Sequence, residues 1–124
     1  GSHGTTFGGS PLACAAAHAV LDIVENENLI ERTKKIGDVF LDGLQELHQQ
    51  FPRHILEIRG RGLMIGLHLS FEPVELISKL RNDGLLTVGA ASQTLRLLPP
   101  LTVEQEEIVH ALKILRAGFS NIQL

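Results

Sequence analysis

Apolar residues recur along the chain with two alternating periods, and the switches between them mark out its elements. From Leu12 to Val24 almost every position is apolar (Leu12, Ala13, Cys14, Ala15, Ala16, Ala17, Ala19, Val20, Leu21, Ile23). That is the pattern of a helix buried on several sides. Ser10 and Pro11 stand just before it, an N-cap and a first-turn proline whose missing N–H costs nothing there. A second helix is expected from about Asn28 to Gln50. Its stripe of Ile36, Phe40, Leu44, Leu47 and Phe51 has spacings of 4, 4, 3 and 4, and Pro52 ends it.

The period then shortens. Ile55 to Ser70 reads as a short strand, a bend permitted by Gly60 and Gly62, and a second, largely buried strand through Leu63-Met64-Ile65-Gly66-Leu67-His68-Leu69. Pro73 to Asp83 predicts a third helix with Val74, Ile77 and Leu80 inward, closed by Asn82-Asp83-Gly84. Leu85–Val88 and Thr94–Leu98 read as two short strands joined by a hairpin-like Gly89-Ala90-Ala91-Ser92-Gln93. Pro99-Pro100 stops the last strand. Thr102 is the expected cap of a final helix, with Gln105 in the capping-box position and an inner stripe of Ile108, Leu112, Leu115 and Phe119. Glu104, Glu106 and Glu107 suit the positive end of that helix.

The order α-α-β-β-α-β-β-α, without repeats, predicts an α+β fold: a small antiparallel sheet covered on one face by helices. The first two long helices look like a connection arriving from elsewhere. Residues 1–27 then form a loop and connecting helix, and residues 28–124 the small domain. A helix as apolar as the first finds little protein to bury it in a chain of 124 residues, so exposed apolar surface and self-association are expected.

Composition narrows the function. The core must be aliphatic, because the chain has five Phe and neither Trp nor Tyr. Base-stacking platforms are therefore not expected, and a net charge of −3 with no basic run argues against a nucleic-acid partner. A single cysteine, Cys14, rules out an intramolecular disulfide and suits a reducing compartment. No apolar run approaches the roughly 18 residues of a membrane span. The start lacks a basic n-region, so a secretory signal is not expected and the chain reads as cytoplasmic.

Most candidate chemistry resolves into ordinary structure. The histidines (His3, His18, His48, His54, His68, His110) never share a helical face at i, i+4, so no metal site is assigned. Arg59-Gly60-Arg61-Gly62 leads into a strand rather than a helix, so it is a bend and not a dinucleotide fingerprint. Its arginines read as solvent or interface residues. No serine sits in a G-x-S-x-G elbow. Cys14, inside an apolar helix, reads as an inert small hydrophobe. Lys34, Lys35, Lys79 and Lys113 fall on helix faces in contact with solvent.

Two features resist that treatment. His3-Gly4-Thr5-Thr6-Phe7-Gly8-Gly9 lies directly before a helix N-terminus. Glycines allow a ligand close to the backbone, and free N–H groups with threonine hydroxyls are donors for an anion such as phosphate. The same stretch is also compatible with a flexible leader, and Gly1-Ser2-His3 with an expression-vector remnant. The second feature is Arg96 in Leu95-Arg96-Leu97-Leu98-Pro99-Pro100. An arginine among strand leucines is costly to bury unless it meets an anion, either a ligand carboxylate or a structural ion-pair partner.

Three blocks, in order, carry a resemblance: GSHGTTFGGSPLACAAAHAVLDIV, EIRGRGLMIGLHL and GLLTVGAASQTLRLLPPLTVEQEEI. Together they resemble the C-terminal part of class III, pyridoxal-phosphate-dependent aminotransferases, nearest the branch acting on acetylornithine, succinylornithine and ornithine. The resemblance covers essentially the whole chain. It implies the C-terminal small domain of a fold-type I transferase, with pyridoxal 5'-phosphate as cofactor, a homodimeric parent, and an amino donor and 2-oxoglutarate as substrates. In that family the threonine loop reaches the cofactor site of the neighbouring subunit. By resemblance Thr6 would bond the cofactor phosphate, Thr5 would lie beside cofactor and substrate, and Arg96 would receive a substrate carboxylate. Ser10 stands where the family usually has Asn, and serine caps a helix equally well.

A larger departure concerns catalysis. The Schiff-base lysine of the family lies upstream of the threonine loop, in a large domain, as do the aspartate at the pyridine nitrogen and the aromatic stacked on the ring. None of the four lysines here sits in a matching motif, so no catalytic residue is assigned and the chain alone is expected to be inactive. Within the class the alternatives are enzymes acting on succinylornithine, ornithine or 4-aminobutyrate, and a free-standing α+β binding module without chemistry is the alternative from another class.

Overall fold

The computed structural model describes residues 3–123. The question of a vector remnant falls mainly on residues 1 and 2, outside that range. Eight elements follow in order: α1 (Pro11–Asn26), α2 (Leu29–Gln50), β1 (Ile55–Arg61), β2 (Met64–Leu69), α3 (Val74–Asn82), β3 (Val88–Ala90), β4 (Thr94–Leu97) and α4 (Gln105–Ser120). Chain contacts divide them into two compact units, Gly1–Arg32 and Thr33–Leu124, with the division inside α2.

In the second unit the four strands form one antiparallel sheet in the order β1-β2-β4-β3. Alternation decides which face is covered. Ile65, Leu67 and Leu69 of β2 and Leu95 and Leu97 of β4 are buried. They meet Phe40, Leu44 and Leu47 of α2, Leu76 and Leu80 of α3, and Ile108, Leu115 and Phe119 of α4 in one core. This is the expected α+β layer with helices on one face. Helix α2, read from the sequence as part of a connection, also supplies three residues to the core. It approaches the sheet closely: a Cβ on Gly37 would lie 2.8 Å from backbone atoms of Gly62.

The element ends show where local chemistry prevails over pattern. Helix α3 closes in a Schellman motif, with Gly84 N–H on Arg81 O (3.1 Å), Leu85 N–H on Leu80 O (2.8 Å) and Gly84 at φ +92°. Because Leu85 is tied back to the helix, the next strand starts at Val88 and not at Leu85. Val74, expected inward, is 73% exposed. Leu76 and Leu80, with half-buried Ile77, form the inner face, while Pro73 is buried ahead of them. Thr102 does not cap α4. It lies in a turn closed by Val103 N–H on Pro100 O (3.0 Å), and the cap passes to Glu104, whose N–H donates to Glu107 Oε2 (2.8 Å) in a capping box. Leu112 of the expected inner stripe is only half-buried.

In the first unit Ser10 caps α1 as expected, its Oγ accepting from Ala13 N–H at 3.4 Å, with Pro11 following. No residue of α1 is buried. Cys14, expected as a buried hydrophobe, is exposed.

Leu67 is fully buried and central to the sheet, so Leu67→Ala removes side-chain volume that no neighbour on a paired strand can refill. We expect a loss of about 2–5 kcal/mol in urea unfolding of the chain. Val74→Ala, on the exposed side of α3, should stay within about 0.5 kcal/mol.

Candidate functional site

The threonine loop belongs to the first unit. Ser10 N–H donates to Phe7 O (3.1 Å) and Gly9 sits at φ +78°, so the loop turns just before α1. A Cβ on Gly8 would meet the methyl of Thr5, so a side chain there would have to displace that threonine. Thr5 and Thr6 are exposed, and neither hydroxyl has a hydrogen-bond partner among the described residues. Two free hydroxyls in a glycine-rich turn before a helix N-terminus form a donor set that fits a phosphate.

Arg96 belongs to the second unit, on β4. It alternates with buried Leu95 and Leu97, so it projects from the uncovered face of the sheet and is exposed. The expected cost of burying it does not arise, and it has no ion-pair partner among the described residues. The two threonines thus share one loop of the first unit, and Arg96 stands on the sheet of the second.

Strand register surrounds Arg96 with residues that the motif reading passed over. Gly66 of β2 is its partner on one side, and Val88 of β3 on the other. Arg59 of β1 pairs with the same Gly66. Arg59, Gly66 and Arg96 therefore form one row on the open face, the two arginine Cα atoms about 10 Å apart with no side chain between them. The next row on this face is Glu57, His68 and Thr94. His68 Nδ1 bonds to Ser92 O at 2.8 Å, holding the turn in which Ser92 and Gln93 have φ of 58° and 55°. Glu57 Oε2 accepts from Arg59 Nη2 at 2.5 Å. That hydrogen bond, assisted by the charge of Arg59 and by His68, holds the Glu57 carboxyl below the usual carboxylate range against an opposing desolvation. The signal in the sequence was the two-residue alternation itself, Glu57-x-Arg59 facing Met64-x-Gly66-x-His68.

An apolar concavity of the second unit lies elsewhere. A groove of about 580 Å³ beside α4 is lined by Phe40, Leu85, Leu97, Pro99, Val103 and Ile114 among others. Its walls are mainly apolar, with Glu106, Glu107 and His110 among them. No group of three His, Cys, Asp or Glu residues placed to hold a metal ion occurs among the described residues, and none of their helices is long and apolar enough to cross a membrane.

The model of the family "Aminotransferase class-III" matches residues 1–119, and the chain belongs to that family. Aminotransferases of this class depend on pyridoxal phosphate. The chain is 43% identical over 124 residues to the mitochondrial acetylornithine aminotransferase of Neurospora crassa, covering all of this chain and 27% of that protein. It is 43% identical over 119 residues to the mitochondrial ornithine aminotransferase of Oryza sativa, covering 91% of this chain and 25% of that one. The crystal structure of acetylornithine aminotransferase from Elizabethkingia anophelis superposes with a TM-score of 0.87 at 35% identity, over 98% of this chain and 31% of that one. The chain thus spans between a quarter and a third of the length of these relatives.

The Glu57–Arg59 pair fixes a pH dependence. A carboxyl with a lowered pKa adds stability above the usual carboxylate range and loses it as the pH falls through the lowered value. In a carbon-detected NMR titration Glu57 should titrate below the usual carboxylate range. In Arg59→Gln it should move up toward that range, and no difference between the two proteins would contradict the pairing.

Proposed function

We propose that this chain is the C-terminal part of an acetylornithine aminotransferase. The parent would interconvert N-acetylornithine and 2-oxoglutarate with N-acetylglutamate 5-semialdehyde and glutamate, a step of arginine biosynthesis, as a homodimer in the cytoplasm. The observation that carries this reading is the match of residues 1–119 to the class-III family together with 43% identity to an acetylornithine enzyme across the whole chain.

Within that reading the residues divide the work of binding. Thr6 would hold the phosphate of the cofactor through its hydroxyl, and Thr5 would border both the cofactor and the substrate space. Their lack of partners among the described residues and the turn at Gly9 before the helix support this. Arg96 would receive the carboxylate common to the amino donor and to 2-oxoglutarate, since a guanidinium matches a carboxylate in two parallel hydrogen bonds. Pyridoxal phosphate, when bound, supplies the electron sink for amino-group transfer. The lysine that family members use to carry it has no counterpart in this chain, so these residues bind and orient but move no proton. The chain alone, mixed with pyridoxal phosphate, N-acetylornithine and 2-oxoglutarate, should form no glutamate, and measurable turnover would overturn this division.

In the parent enzyme Arg96→Gln should raise KM for 2-oxoglutarate about 10- to 100-fold, the loss of a charge-assisted contact. Ornithine aminotransferase is the second reading, favoured by the equal identity to the Oryza sativa protein. The ratio of kcat/KM for N-acetylornithine over ornithine in the parent separates the two.

The homodimer is supported by α1, where Leu12, Val20, Leu21 and Ile23 are between 47% and 83% exposed. Sedimentation velocity of the chain should show dimers or larger species at micromolar concentration. A strictly monomeric profile would count against an interface on this helix.

A further inference from the structure

The open face of the sheet carries more cationic groups than the one the proposed function uses. Arg59, Arg61 and Arg96 are all exposed on it. Register separates them. Arg61 pairs with Met64, a residue 60% exposed that puts a side chain in its row. Arg59 and Arg96 alone flank a position with no side chain, Gly66. A side chain there would meet Thr94 Cγ2 at 3.0 Å from its first carbon onward, so the bare position is also tightly framed.

Two guanidiniums facing each other across such a gap make a receptor for two carboxylates, with one arginine for each. The structure occupies one of them. Glu57, two residues before Arg59 and on the same face, holds its Nη2 at 2.5 Å, whereas Arg96 has no such partner among the described residues. We propose that Glu57 is a specificity-determining residue of this face: by holding Arg59 it leaves Arg96 as the only unpaired guanidinium bordering Gly66, so the face receives one carboxylate rather than two. The inference rests on the reading of Arg96 as a carboxylate receptor and deepens it. It gives the face a preference for the carboxylate shared by an amino acid and a keto acid, with no added preference for a second acid group on the same molecule.

The geometry separates Glu57 from a merely structural role. Both members of the pair are exposed, at 51% and 68% of the side chain, so breaking the pair leaves no buried charge and should not unfold the sheet. Glu57→Gln keeps the shape and removes the charge that competes for Arg59.

The test is a titration of the chain with butyrate and with glutarate, one carboxylate against two, followed through the arginine Nε–H signals in NMR. In the wild-type chain Arg96 should shift with both acids, with glutarate favoured by no more than the statistical factor of about two. In Glu57→Gln the Arg59 signal should move together with Arg96 on adding glutarate, and the preference for glutarate over butyrate should rise to roughly three- to fivefold, the scale of an exposed ion pair. Arg61→Gln should leave the preference unchanged. If Arg96 responds to both acids while Glu57→Gln leaves Arg59 silent and the preference at its wild-type value, the masking role is overturned and the carboxylate reading stands. If Arg96 responds to neither acid in any variant, the carboxylate reading falls, and this inference with it. An unchanged backbone amide spectrum of Glu57→Gln shows that the sheet is intact in either case.

Discussion

The two-residue alternation of the interior strands is the constraint on which the second unit depends. β2 and β4 are the strands with neighbours on both sides, and each can send only every second residue into the core. Ile65, Leu67 and Leu69, with Leu95 and Leu97, take the covered side, and three helices close over them. A slip of one residue in β2 would bury His68 and expose three aliphatic side chains, and one in β4 would bury Arg96 and expose two, so register is fixed by burial. The same arithmetic that builds the core places Gly66, His68, Thr94 and Arg96 on the other face. Core and site are two readings of one pattern.

That relation explains what was legible in the sequence. The class of fold, the order of the elements and the identity of most core residues follow from periodicity, because the stripes in α2 and α4 and the alternation in β2 are long enough to be unambiguous. The failures sit where one short interaction outweighs a pattern. Thr102 has the right chemistry for a cap, but the Pro100–Val103 turn takes it and Glu104 pairs with Glu107 instead. Val74 fits an apolar stripe by spacing, yet a nine-residue helix can turn another face inward, and buried Pro73 fills the space ahead of Leu76. Leu85 has the composition of a strand residue and is held by the helix cap before it.

Arg96 shows the difference between noticing a residue and placing it. Its charge among leucines marks it as unusual, and the cost of burial then suggests a partner. The alternation Leu95-Arg96-Leu97 already implies that a residue between two buried leucines faces away from the core. Glu57 and Gly66 were not legible as part of a site for a different reason. A glutamate and a glycine are common on strand surfaces, and only the pairing of β1 with β2 and β2 with β4 brings them beside Arg96. Register is a long-range property, and the sequence states it only through the burial that it satisfies.

The threonine loop and the sheet face reach their lack of partners by unlike routes, and the contrast bears on the proposed function. The loop turns at Phe7–Ser10, and its exposed threonine hydroxyls have no partner among the described residues. Arg96 is free because the one carboxylate in the adjoining row, Glu57, bonds to Arg59 instead. A surface guanidinium beside a carboxylate ordinarily pairs with it at little cost. Here the carboxylate lies on β1, two strands from Arg96 and two residues from Arg59, and reach decides the partner. On the proposed reading that choice keeps the receptor open without an empty buried charge, since every group involved remains in water until a ligand arrives. Such a site needs a firm scaffold more than a deep pocket. The fully buried leucines beneath it, Leu67 and Leu95, supply that scaffold from the opposite side of the same strands.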